Sequence, residues 1–74
     1  MSNDWDRNKA VENAGGQHRM VIMATLRTRQ IQHGSPVRIT PEEAKGHKNA
    51  VIALKEIEQG LYTYEEYVSD IRGY

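Results

Sequence analysis

The sequence predicts an all-α chain of three to five helices with one long loop around residues 33–40. Three observations carry this. Apolar residues recur at spacings of three and four in each stretch between the breaks, glycine and proline fall only at those breaks, and two Ser/Thr-x-x-Glu capping signals precede apolar runs. No internal repeat and no low-complexity segment interrupts the pattern.

The elements follow in order. Asp4 or Asp6 can cap a short first helix running to about Asn13, and Gly15-Gly16 stops it, since glycine is costly inside a helix and cheap in the turn after one. From Gln17 to about Gln32 neither glycine nor proline intervenes, and Met20, Met23, Ala24, Arg27 and Ile31 share one face. This is the long helix. Its apolar content lies in Met20 to Leu26, so its first half should pack in the core while its polar second half, with Arg27 and Arg29 near the negative end of the dipole, projects.

"HGSPVRITP", His33 to Pro41, is a loop that leaves room for an extended piece at Val37 to Ile39. Thr40, Pro41 and Glu43 form a capping box with proline in the first helical position, and Gly46 ends or bends the helix they start. A further helix spans about Asn49 to Gln59, with Ala50, Ala53, Leu54 and Ile57 on its apolar face and Gly60 just past its end. Thr63 and Glu66 make the second capping box. They open a last helix striped by Tyr64, Tyr67, Val68 and Ile71.

At 74 residues the chain makes one domain, residues 1–74, with residues 1–5 and 72–74 expected to be flexible. So short a chain buries only about 60% of its unfolded surface, and a partner would add to a marginal core. Absence of cysteine excludes disulfides and thiolate metal sites. The apolar run Met20 to Leu26 is far short of the roughly 20 residues of a membrane span, and the acidic start "MSNDWD" is unlike a signal peptide. A soluble, cytoplasmic protein is expected, with no membrane partner and no homo-oligomer.

A formal net charge of zero hides a segregation. Between Asn13 and Pro41 there is no acid, only Arg19, Arg27, Arg29 and Arg38; beyond Pro41 seven acids face four bases. These halves either attract each other or each match a different partner patch.

Catalytic chemistry finds no footing. His18, His33 and His47 lie fourteen or fifteen residues apart, without a second ligand one helical turn away, so no metal is expected. Glu42-Glu43 and Glu65-Glu66 sit at helix starts, where the dipole favours acids. No nucleophile motif surrounds Ser35, and neither Gly15-Gly16 nor Gly46-His47-Lys48 has the phosphate-loop or dinucleotide pattern. No catalytic residue, cofactor or metal site is therefore expected. Tyr62, Tyr64, Tyr67 and Tyr74 suit a protein contact better than nucleic acid, because Glu65, Glu66 and Asp70 among them repel phosphate; two of the four could instead close the core. Trp5 either docks on the domain or anchors a partner.

Two blocks, in this order, resemble the omega subunit of bacterial RNA polymerase. The first is "AVENAGGQHRMVIMATLRTRQIQ", Ala10 to Gln32, with its Arg-x-Arg-Gln ending at Arg27, Thr28, Arg29 and Gln30; the second is "VIALKEIEQG", Val51 to Gly60. With the "LYTYEEY" tail the resemblance covers about three-quarters of the chain. It implies a small orthogonal helical domain without catalytic residues, an accessory subunit that clasps the largest, beta-prime-type subunit and helps it fold and join the core assembly. Nucleic acid would be met only indirectly, through the complex. The resemblance assigns Arg27, Arg29 and Gln30 to the large-subunit contact, and divides Val51, Leu54, Lys55, Glu56 and Ile57 between the chain's own core and that contact. On this expectation alanine at Lys55 and Glu56 separates the two roles, since a pure core helix tolerates it and a docking helix loses its partner.

The chain also departs from the pattern. Some omega subunits begin with a basic segment that helps bind guanosine tetraphosphate, whereas Asp4 and Asp6 here disfavour a polyphosphate. Gln17, His18 and Arg19 replace the usual aromatic or acidic residues, and Ala24, Thr25, Leu26, Arg27 stand in for an Ala-Arg-Arg-like segment. A divergent member is implied, matched to an unusual or virus-encoded polymerase. Two rival readings stay open: a helical nucleic-acid-binding regulator using Arg19, Arg27, Arg29 and Arg38, and a toxin, antitoxin or inhibitor aimed at another protein.

Overall fold

A computed structural model describes residues 5–73. Asp4 as a helix cap, Tyr74, and the flexibility expected of residues 1–4 and 74 lie outside the described residues. Within them the chain is all-helical: α1 (Arg7–Ala14), α2 (Gln17–Gln32), α3 (Pro41–Ala44), α4 (Asn49–Glu58) and α5 (Tyr64–Arg72). No strand forms among the described residues, so the extended piece expected at Val37 to Ile39 is a loop without ladder partners.

The local signals act where the sequence places them. Asp6 caps α1, its carboxylate accepting from the Lys9 N–H at 3.2 Å. Gly15 takes the left-handed conformation at φ 89°, and Gly16 N–H reaches back to the Val11 carbonyl at 2.9 Å, which closes α1 with a Schellman turn. The side chains of Thr40 and Thr63 accept from the N–H groups of Glu43 and Glu66, opening α3 and α5. Gly46, at φ 80°, follows a helix that has already ended at Ala44.

Packing centres on α2 and α4, with α1 leaning on both and α5 lying against α2. Ala10 and Ala14, one helical turn apart, give α1 a side-chain-poor face that lets it approach Met20, Met23 and Ile57 closely. Tyr62, in the turn before α5, completes this cluster; Trp5, Tyr64 and Tyr67 pack on its edge. Asn13 secures α1 to α4 by donating to the Ile57 and Glu58 carbonyls at 3.3 and 2.8 Å, which caps the end of α4 from another helix.

Two expectations about faces are corrected. The second half of α2 does not simply project, because Arg27 is buried in it. The buried face of α4 consists of Ile52, Ala53, Lys55, Glu56 and Ile57, leaving Ala50 exposed and Leu54 half-buried. It is rotated away from the face that apolar residues alone mark out, since α4 turns a carboxylate inward to meet Arg27. On α5, by contrast, no residue of the expected stripe is fully buried, and Ile71 is 44% exposed.

Candidate partner-binding surface

Beneath the surface lies a polar hub that sets its shape. The Arg27 guanidinium, 2% exposed, donates through Nε to Glu56 Oε1. Its Nη2 donates to the Pro36 carbonyl at 2.7 Å and to Glu56 Oε2 at 3.4 Å, and its Nη1 to Gln30 Oε1 at 3.1 Å. Glu56 also accepts the backbone N–H of Arg38 at 2.8 Å. One carboxylate thus ties α2, the 33–40 loop and α4 together. Burial of two charges is tolerated when each is paired and hydrogen-bonded, as both are here.

The hub continues to α5. Gln30 Nε2 donates to Asp70 Oδ2 at 2.8 Å, and the same oxygen accepts from the Tyr62 hydroxyl at 3.3 Å. Burial, with Asp70 beside it, raises the Tyr62 phenol well above its ordinary range. Arg38 grips Glu66 through both Nη atoms and donates to the Leu61 carbonyl at 2.7 Å. The bonded Glu66 carboxylate raises the pKa of Arg38. Arg19 stacks over the Tyr64 ring at 4.1 Å. The segregated charges of the sequence therefore attract each other within the chain, across the α2–α4 and loop–α5 seams.

Lys55 turns inward as well, donating from Nζ to the Glu43 carbonyl at 2.9 Å and so tying α3 to α4. Gln59 bonds the Glu43 side chain at 2.8 Å and holds that carboxyl below its usual range.

Of the eight residues expected at a partner contact, Arg27, Lys55, Glu56 and Ile57 are interior. Alanine at Lys55 or Glu56 would break interior bonds, so those substitutions do not separate a core role from a docking role. Arg29 is exposed, while Gln30, Val51 and Leu54 are half-buried.

The outward ridge of α2, Val21, Thr25 and Arg29, runs between two apolar grooves. One, about 660 Å³, lies towards α5 and is lined by Ile22, Leu26, Gln30, His33, Tyr67 and Ile71 among others. The other, about 720 Å³, lies towards α1 and α4, where Trp5, Met20, Val21 and Leu54 form its apolar part and Arg7 and Arg29 stand beside them. Thr25 and Arg29 line both. Val21, an apolar residue 51% exposed, and Trp5 in the groove carry no helix-face signal; only the mismatch of an apolar side chain on a polar ridge could have pointed to Val21. Among the described residues no group of three His, Cys, Asp or Glu is placed to hold a metal ion, and no helix is long and apolar enough to cross a membrane.

The model of the RNA polymerase Rpb6 family matches residues 9–64, from α1 to the first residue of α5. The chain belongs to that family. It is an omega-like, Rpb6-type accessory subunit of an RNA polymerase, and its partner lies within such a complex. No solved structure matches the chain. The Rpb6-type match includes Arg27, Gln30 and Glu56, hence the Arg27–Glu56 hub, while nearly all of α5 lies beyond it.

Proposed function

We propose that this Rpb6-type chain clasps the largest, beta-prime-type subunit of its polymerase and promotes that subunit's folding and assembly into the transcription complex. The observation that carries the reading is the exposed ridge of α2 between two apolar grooves, in a chain whose family supplies RNA polymerase subunits. Exposed apolar surface of this kind is what a docking subunit offers.

Contact falls to Arg29, Gln30, Leu54 and the neighbouring Val51, while Arg27, Lys55, Glu56 and Ile57 act from inside by holding α2 and α4 in register. Direct nucleic-acid binding is the weaker reading. Three of the four arginines it needs, Arg19, Arg27 and Arg38, are committed to Tyr64, Glu56 and Glu66. Affinity-tagged chain isolated from its own source should bring down the largest polymerase subunit, and Arg29→Glu should weaken that capture. Capture of other polymerase subunits without the largest one would refute the clasp.

A further inference from the structure

We infer that the groove between α1, α2 and α4 receives an acidic segment with apolar side chains, belonging to the polymerase's largest subunit; this rests on the reading just given. The groove combines an apolar surface of Trp5, Met20, Val21 and Leu54 with two exposed cations, Arg7 and Arg29, and among the described residues no acid lines it.

Asp6, the cap that precedes α1, accepts from the Lys9 N–H, and Glu58 faces Lys9 at 3.9 Å. Neither offsets the two arginines at the groove. A segment that buries apolar side chains against Val21 and Leu54 while placing carboxylates on Arg7 and Arg29 matches both the shape and the sign of the site. Polynucleotide fits less well, because two cations beside an apolar surface neutralise few phosphates. A second copy of the chain meets the same two cations unless it brings an acid-rich face.

Trp5 adds a polar contact. Its indole N–H is buried without an acceptor among the described residues. Turning the ring towards an incoming carboxylate or carbonyl would supply one.

The test places a photo-activated crosslinking amino acid at Val21 in the full chain, assembled with its own polymerase, and identifies the captured peptide by mass spectrometry. A parallel chain carries the crosslinker at His33, in the other groove. The expected product joins position 21 to a segment of the largest subunit bearing Asp or Glu among apolar residues. Arg7→Glu with Arg29→Glu should weaken assembly about tenfold, with partial rescue when the captured carboxylates are changed to Lys. Both arginines are exposed, so circular dichroism should show the fold unchanged.

Capture of a segment without acids, of another subunit, of nucleic acid or of a second copy would overturn the inference. So would silence at position 21 in a chain that still joins the largest subunit, a result that leaves the clasp standing. Failure to join the largest subunit at all would remove both.

Discussion

Arg27 of α2 and Glu56 of α4 form an ion pair whose side chains are 2% and 0% exposed, twenty-nine residues apart in sequence. Few features of this chain constrain it more. A buried pair adds little net stability over a well-packed apolar pair, but removing one partner strands the other charge.

Arg27→Ala should therefore cost about 3–5 kcal/mol, a large share of the stability of a small domain. Arg27→Met combined with Glu56→Leu should cost clearly less than either single change. Urea denaturation followed by circular dichroism checks both, and additive losses would contradict the pairing.

Tyr62 gives a pH-dependent prediction. Its phenol is raised in the folded chain by burial and Asp70. The folded state thus prefers the protonated phenol, and this contribution is complete below the unfolded tyrosine value of about 10 and is lost as pH rises above it. Alkaline unfolding should consequently begin at higher pH in Tyr62→Phe than in the parent. At neutral pH the same substitution should cost about 0.5–1.5 kcal/mol through the lost bond to Asp70.

Arg38→Ala should act locally. It removes the grip on Glu66 and the bond to the Leu61 carbonyl, both partly exposed, so the expected loss is about 0.2–1 kcal/mol. Hydrogen exchange should quicken in α5 and leave the amides of α2 and α4 little changed.

Gly15→Ala should destabilise by about 1–2 kcal/mol, since φ is 89° and an added Cβ would lie 3.2 Å from the Arg19 guanidinium. A thermal melt of the variant beside Gly60→Ala, where φ is a similar 76° but the space is open, would separate crowding from backbone strain.

Much of the fold was legible because its punctuation is local. Gly15-Gly16 and His33-Gly34 bound α2 at the expected residues, and both threonine caps bond as their spacing requires. The rotation of α4 was not legible. Apolar periodicity treats Lys55 and Glu56 as surface, and only Arg27 and the Glu43 carbonyl, both distant in sequence, make their burial tolerable. The charge segregation held the relevant hint without naming which arginine meets which acid. At the candidate surface Arg29, Gln30 and Leu54 line grooves, as a contact role would need, yet Val21 and Arg7 escaped notice because exposure depends on how helices lean.

The bond from Asn13 to the Glu58 carbonyl carries a consequence for biosynthesis. Almost everything α1 and α2 bury against arrives after residue 50: Ile57 for the alanine face, Glu56 for Arg27, Tyr62 to close the cluster. Until those residues are available, Met20 and Met23 lack the side chains that cover them and Arg27 has no counter-ion. Closure waits for residues 56–62, so α1 and α2 are expected to fold together with α4 in one event rather than helix by helix.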